Sequence, residues 1–561
     1  MLNRDVVRAL VEIADLLEIK GEEAYKALAY RRAARSIAAL EGDLADLAAR
    51  GDLESIPGVG AKLAAKIVDI LNTGTCRLLD ELRGEIPGGV LDMLAVSGVG
   101  PRTAALLYKQ LGIADLDGLE EAARQGRLRG VRGLGERREL LILQGVGVIR
   151  ARGDRVLLGA ALPLAEELRD RVRDLPGVLA CDIAGSVRRR CELVGDIDLV
   201  AVTDDAAATR DAFMWLPVVA EIQETADDYC RAIVGGVRVE FYLASPGRLG
   251  DVMVQHTGCA AHLDLLREHA AGRGLRLYDG AASEAQFYAR LGLDPVPPEL
   301  REGGAEIEAA AAHHLPALID IGDIRGDLHV HSDWSDGVAS LAELAAAARR
   351  RGYAYIAICD HSPSLTVAHG LDQARLEEQR RAIAELNRQW DDFALLCGVE
   401  VDILKDGRLD LPCEFLGGCD VVVASVHSGF HMDEQAMTAR VVRAVQSGCV
   451  DVLAHPTGRL IGMRAPYAVD LEAAFQACRA AGVALEINAS SERLDLRDED
   501  ARRAGALGIP LAIDTDAHSL PALNDMRYGV GVARRAWLSR DAVVNAWPLE
   551  QVRRRFGRRR Q

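Results

Sequence analysis

The chain has 561 residues, 49% of them hydrophobic and 27% charged, with a formal net charge of −17 at neutral pH. These proportions describe several packed domains and exclude a disordered or fibrous protein. No stretch approaches the roughly 20 uncharged apolar residues of a membrane span, and eleven cysteines without a C-x-x-C pair predict free thiols in a cytoplasmic protein rather than a disulfide framework.

The first twenty residues interleave Asp5, Glu12 and Asp15 with apolar positions, which predicts an amphipathic helix and not a signal peptide. The acidity is uneven. Residues 1–150 hold 21 Lys/Arg against 22 Asp/Glu, and Arg124 to Arg138 contains six arginines and one acid. A local basic surface suits a phosphate backbone even on an acidic protein, because phosphate contacts are local. Three turns in this segment alternate apolar residues with glycine: Ile56-Pro57-Gly58-Val59-Gly60, Val96-Ser97-Gly98-Val99-Gly100 and, in weaker form, Val131-Arg132-Gly133-Leu134-Gly135. Between helices this is the helix–hairpin–helix pattern, in which Gly58, Gly60, Gly98, Gly100, Gly133 and Gly135 let the backbone and the next helix's N–H groups approach a phosphate.

From about Gly159 a helix is followed by strand-like runs at Leu179–Ala184, Asp196–Val202 and Val237–Leu243. Asp196 and Asp198 alternate on one strand, so both carboxylates face one way and are placed to hold two Mg²⁺ or Mn²⁺ ions; Glu240 is the candidate third carboxylate. Gly185 and Ser186 offer a backbone and hydroxyl cradle for a triphosphate, with Arg189 supplying charge and Gly195 opening the acidic strand. Residues 246–292 return to helix, and Ala305–Leu318 reads as an Ala-rich linker helix.

From Gly326 the pattern becomes strand–helix–strand. Seven short apolar runs predict a closed or distorted β/α barrel, whose C-terminal strand ends face one opening. Six of the seven end in a potential metal ligand: His329, His331 and the following Asp336; His361; Glu400; His427; His455; Asp516 and His518. Mixed imidazole and carboxylate donors suit Mn²⁺ or Zn²⁺, and nine ligands predict two or three ions, with Glu400 bridging. Asp360 is expected to orient a neighbour. Arg459 and Arg464, following His455, are candidates for holding substrate phosphate.

The segments GDLHVHSDWSDG, ICDHS, GVEVDIL, SVHSGF, AHPTGRLIG, LEINAS and IDTDAH resemble the PHP (polymerase and histidinol phosphatase) domain. The resemblance places that family's nine ligands on the nine residues just named. GSVRR followed by GDIDL is similar to the nucleotidyltransferase signature of family X DNA polymerases, and the whole order resembles bacterial PolX. That implies an N-terminal DNA-end-binding domain (1–82), a second helix–hairpin–helix domain (83–152), a palm (153–243), a thumb (244–304), a linker (305–322) and a PHP domain (323–561). Lys66 falls where the DNA polymerase beta branch has its Schiff-base lysine and Lys62 where it has a phosphate-binding one. Thr257 and Gly258 fall in its nucleotide-binding segment.

The same resemblance exposes departures. Glu240 replaces an aspartate, Gln255 and His256 replace the stacking aromatics, Cys259 a serine, Ala260 the lysine and Leu263 the amide of the nucleotide site; Arg190 stands where the family has glycine. The implied activities are gap-filling synthesis and 3′–5′ exonuclease action, with DNA gaps or primer ends and deoxynucleoside triphosphates as partners, on a monomer. The alternatives are a PHP nuclease using an inactive polymerase module to bind DNA, a small-molecule phosphatase of the histidinol phosphatase kind, and a scaffold bridging DNA ends.

Overall fold

Three chain reversals with one backbone signature organise the first 150 residues of the computed structural model, which describes residues 3–557 apart from 23, 41, 97 and 132. Gly58, Gly98 and Gly133 have φ of +86°, +90° and +88°, which a Cβ would strain. In each turn the next residue bonds back three positions: Val59 N–H to Ile56 O, Val99 to Val96 and Leu134 to Val131, at 2.9–3.0 Å. Gly60, Gly100 and Gly135 then cap helices Ala61–Thr73, Pro101–Leu111 and Glu136–Arg152. The apolar residue on each side of the central glycine is buried in a single core that runs from Val6 to Val146. The third turn therefore has the geometry of the other two; its Arg132, like Ser97 of the second, lies outside the described residues. The expected first helix spans Asn3–Lys20.

The chain divides into two compact units, the first built on Met1–Gly153, the second on Asp154–Ile461, Tyr467–His518 and Ala522–Gln561. The second contains two main sheets. Strands β1 (Val156–Leu157) and β3 (Leu193–Val194) form a small antiparallel pair. Strands β2 (Val178–Ile183), β4 (Ile197–Thr203), β5 (Val219–Ala226), β6 (Tyr229–Val234) and β7 (Val237–Ala244) make a five-stranded sheet in the order β2-β4-β7-β6-β5. Only β4 and β7 run parallel, and they set Asp198 opposite Glu240. Helices Leu249–Thr257, Ala260–Gly272 and Glu284–Arg290 follow, all three sharing a core with Leu300 and Ile307.

The expected linker helix is shorter and better anchored than its composition suggests. It spans Glu306–Ala311, because the buried Glu306 carboxylate is held by His262 Nδ1 at 2.8 Å and by the Gly303 and Gly304 N–H groups. Seven parallel strands then follow in chain order: β8 (Gly326–Val330), β9 (Tyr355–Ile358), β10 (Ala394–Asp402), β11 (Val421–Ser425), β12 (Val452–Leu453), β13 (Ala484–Asn488) and β14 (Leu511–Asp514). All are buried on both faces, as their unbroken apolar runs require. The first and last meet across a seam. Val330 bridges Ala517, His331 N–H bonds Ala517 O, and Leu328 N–H bonds the Asp514 carboxylate. The barrel is thus near-closed.

One expectation is overturned here. Cys413 and Cys449 form a disulfide with Cα atoms 5.7 Å apart, while the other nine cysteines are free thiols. No spacing signature marks a pair 36 residues apart; the fold brings the helix Cys413–Leu416 beside the turn leading to β12. Among the described residues, no helix is long and apolar enough to cross a membrane.

Candidate functional site

The nine barrel residues converge at the C-terminal strand ends, and Glu400 lies at their centre. Its carboxylate is 2.7 Å from His361 Nδ1, 3.1 Å from His455 Nε2, 3.4 Å from His427 Nε2, 3.5 Å from His329 Nε2 and 3.7 Å from His331 Nε2. Asp516 is 3.1 Å from His331 Nε2, and Asp336 lies within 3.5 Å of both His361 and His518. His329, His331, His455 and Glu400 are almost wholly buried, whereas His518 and Asp336 form the exposed rim. Two of these positions carry left-handed backbone, His455 with φ +27° and Asp516 with φ +53°. Such conformations cost about 1–3 kcal/mol each and persist where surrounding structure enforces them.

Their chemistry fits cations. His331 Nε2 and His329 Nε2 face each other at 3.2 Å, and the buried His331 Nδ1 and His455 Nδ1 have no hydrogen-bond partner. Possible ligand atoms fall into three groups: His331, Asp336, His361 and His518; His329, His331 and Asp516; His361, Glu400 and His427. Burial opposes charge on His361, but Glu400 and Asp336 outweigh it and lift that imidazole to about 10. Burial alone would raise Glu400, yet His361, His427 and His329 hold it well below the usual carboxylate range.

A supporting layer fixes the ligands, and sequence reasoning missed most of it. Glu486 takes His329 Nδ1 at 2.7 Å and the His455 N–H at 2.6 Å; Asp402 takes His427 Nδ1 at 2.7 Å; Asn488 donates to Asp516 at 3.1 Å. Arg493 places a cation 3.7 Å from Asp516. The available signal was a charged residue inside an otherwise apolar buried strand, as in β13. Asp360 lies in this layer, bonded to Ser332, Ser335 and Gln379. Arg459 is buried and bonded to Glu192 at 2.6 Å and to Leu494 O, contacts that engage it away from a free substrate phosphate. Arg464 is half-buried.

On the five-stranded sheet, Asp198 and Glu240 are register partners and Asp196 precedes them. Gly185, at φ +60°, is required sterically: a Cβ there would lie 1.7 Å from Asp198 Oδ2. The turn is pressed against the acidic strand, and the Ala184 N–H bonds Asp198 O at 2.8 Å. Ser186 Oγ is buried with no partner, the state of a hydroxyl waiting for a ligand. Burial, then Asp196 and Glu240, push the Asp198 carboxyl up to about 8. Asp196, Asp198 and Glu240 stand on or beside two paired strands, next to the turn that carries Ser186, and these donors suit divalent cations and a phosphate. Gly195 has open space around it.

The departures also find physical explanations. Asp196 pairs with Arg238 at 2.9 Å, and Glu240 with Arg231 at 2.9 Å and with the Tyr229 hydroxyl. His256 stacks on Tyr242 with centroids 3.6 Å apart, and Leu263 packs against the helical core beyond the site. Thr257 is fully buried; its hydroxyl accepts from Arg188 and its carbonyl from Arg189. Gly258 keeps space for the His262 ring, 2.7 Å from where a Cβ would stand. Arg190 has φ +59°, which accounts for a glycine being easier at that position.

In the first unit Lys62 and Lys66 line one cleft of about 380 Å³ together with Lys20, Lys26, Tyr25 and Tyr30. Lys20 pairs with Glu85 and Lys26 with Glu22, which also lines the cleft, so Lys62 and Lys66 are the cations left to favour an anion.

A buried imidazole–carboxylate cluster in a parallel barrel, a three-carboxylate sheet and helix–hairpin–helix turns together define a multidomain, DNA-directed metalloenzyme class. The pattern described as "PHP domain" matches residues 327–490, "Helix-hairpin-helix domain" residues 1–76 and "SAM-like Helix-hairpin-helix tandem" residues 90–146. The chain is 37% identical over 567 aligned residues to a Bacillus subtilis protein named "DNA polymerase/3'-5' exonuclease PolX", covering 98% of this chain and 99% of that one. It therefore belongs to the PolX family. Proteins named "Probable phosphatase", from Shewanella oneidensis at 27% identity and Thermoanaerobacter sp. (strain X514) at 27%, match 40% and 39% of this chain and 88% and 89% of their own lengths.

Proposed function

We propose that this protein is a DNA repair enzyme that fills gaps on its palm and removes 3′ nucleotides in its barrel. The observation that carries the reading is the convergence of nine ligands from six strand ends on one opening, in a chain whose PolX likeness extends over 98% of its length. The phosphatase relatives match only 40% and 39% of this chain, which argues against a small-molecule substrate.

In the barrel, His329, His331, Asp336, His361, Glu400, His427, His455, Asp516 and His518 would hold two or three Mn²⁺ or Zn²⁺ ions. Such ions, when bound, activate water and neutralise the charge of a phosphodiester. Glu486 and Asp402 fix the tautomers of His329 and His427 so that each offers Nε2 inward. The exposed His518 and Asp336 lie where a DNA 3′ end would enter. In the palm, Asp196, Asp198 and Glu240 would hold Mg²⁺ or Mn²⁺. Gly185, Ser186, Arg189, Gly195, Thr257 and Gly258 form the deoxynucleotide side, and Glu240 is the group that would activate the primer hydroxyl. Gly58, Gly60, Gly98, Gly100, Gly133 and Gly135 contact DNA phosphates, and Lys62 and Lys66 hold a terminal one. The divisions 1–82, 83–152, 153–243, 244–304, 305–322 and 323–561 follow from these assignments, and the protein works as a cytoplasmic monomer.

A second reading keeps the nuclease and retires the polymerase. It is favoured by the arginine pairs that already occupy Asp196 and Glu240. A labelled gapped-DNA assay with metal analysis separates the readings. Replacing His329 and His331 together by Ala is expected to abolish exonuclease activity and lower metal content; unchanged cleavage at unchanged stoichiometry overturns the barrel assignment.

A further inference from the structure

One helix of the barrel domain, Met526–Arg535, presents residues 527, 531 and 535 on a single face, four apart, to the sheet domain that carries Asp198. Arg527 pairs with Glu166 at 3.0 Å. Gly531 leaves room for Arg190, whose Cβ and Cγ would lie 3.0 and 3.1 Å from a Cβ at 531. Arg535 reaches furthest. Its Nη1 donates to Glu302 Oε1 at 2.6 Å and to the Arg189 carbonyl at 3.0 Å, while its Nε is fixed by Asp498 at 2.8 Å.

The same Glu302 oxygen accepts from Arg189 Nε at 2.9 Å, and Arg189 Nη1 is bonded to the Thr257 carbonyl at 2.7 Å. Two guanidiniums therefore share one carboxylate oxygen, next to a turn whose Ser186 hydroxyl has no partner. Glu302 alone would neutralise Arg189. Arg535, whose own charge is matched by Asp498 at 2.8 Å, competes for that oxygen, so Glu302 is only partly engaged with Arg189. The bond to the Arg189 carbonyl also pins the turn on which that guanidinium is mounted.

We infer that Arg535 of the barrel domain is a positioning residue for nucleotide binding on the palm, holding Glu302 and the Arg189 backbone so that Arg189 can accept a triphosphate. The inference rests on the palm reading above. It makes the barrel a necessary part of the polymerase site as well as the seat of a nuclease.

The test is the affinity of the full-length protein for a deoxynucleoside triphosphate with Mn²⁺, on gapped DNA whose primer ends in a dideoxynucleotide. Arg535→Gln is expected to weaken it about tenfold, as loss of a charge-assisted hydrogen bond implies, with exonuclease activity unchanged. Glu302→Gln combined with Arg535→Gln is expected to recover most of that loss, because no carboxylate is left to claim Arg189. A merely structural prop would not be rescued by removing its partner. Arg535→Lys keeps the charge and guards against a folding defect; it is expected to fall between the unmodified protein and Arg535→Gln. Unchanged affinity in Arg535→Gln, with Arg189→Gln impaired, overturns the inference, as does a double variant no better than the single one. If Arg189→Gln itself binds normally, or the unmodified protein binds no nucleotide, the palm reading fails and takes the inference with it.

Discussion

Nδ1 of His329 lies 2.7 Å from the Glu486 carboxylate, and both side chains are wholly excluded from solvent. The other Glu486 oxygen takes the His455 N–H, so one carboxylate orients two metal-ligand candidates. Replacing Glu486 by Gln turns an amide N–H₂ toward one of these donors and leaves it unpaired. Metal affinity is expected to fall about 10–100-fold, with exonuclease activity falling in parallel and the fold retained. Competition against a chelator measures this; full affinity in Glu486→Gln counts against the orienting role.

The three glycine turns predict graded losses of DNA binding. Gly58, Gly98 and Gly133 sit at φ near +90°, so Ala at any one is strained by about 1 kcal/mol. Each substitution should weaken binding to gapped DNA whatever its sequence, since phosphate contacts carry no base information. The effect should be similar at all three, the third included, and affinity should fall steeply with salt. A fluorescence titration in which Gly133→Ala binds like the unmodified protein would remove the third turn from the interface.

Incorporation by the palm is expected to be slow and to favour Mn²⁺, whose coordination is more tolerant than that of Mg²⁺. The reason is visible in the pairs Arg238–Asp196 and Arg231–Glu240, which compete with a cation for two of the three carboxylates. Asp198→Ala should remove what activity there is and leave the exonuclease intact, while Glu240→Asp should recover some. Robust Mg²⁺-dependent gap filling would show the arginine pairs to be no obstacle, and a loss of exonuclease in Asp198→Ala would show the two sites to be coupled.

His256 gives a pH dependence of known sign. Burial pushes its imidazole down to about 4, against the weaker opposing pull of Asp228 and Glu240. The unfolded chain, with a value near 6.5, binds a proton that the folded one refuses. The stability linked to this group is complete above about 6.5 and is lost as pH falls toward 4, by at most about 1.4 kcal/mol per pH unit. His256→Phe keeps the stack on Tyr242 and removes the proton site. Its unfolding free energy should therefore decline less than that of the unmodified protein over this window; identical profiles would refute the assignment.

What could be read from the sequence was whatever the fold places at regular positions. Strand ends of a β/α barrel face one opening, so His329, Glu400 and Asp516 were legible as a set before any coordinates. Gly58 and Gly98 were legible because only glycine is at ease at such φ values. Contacts that join distant segments were not. Glu302 pairs with Arg189 across 113 residues, and Glu192 captures Arg459 across 267. Both arginines meet these acids only through the fold, so local sequence does not reveal the pairing. Cys413 and Cys449 escaped for the same reason. Glu486 was hidden differently: it interrupts an apolar strand, but a single buried acid is as compatible with a structural hydrogen bond as with a metal site.

The seam of the barrel joins Leu328 to Asp514 and Asp327 to Thr515, positions 186 and 188 apart. Asp196, Asp198 and Glu240 are all synthesised before the first barrel strand begins. A growing chain on the ribosome thus carries every acidic group of the palm while the nuclease still lacks Asp516 and His518. Premature termination or proteolytic loss of the last strand leaves a fragment that retains the three glycine turns but lacks two of the nine candidate metal ligands. Arg535 follows both Asp516 and His518 in the chain, so neither centre is complete until the helix Met526–Arg535 has been made.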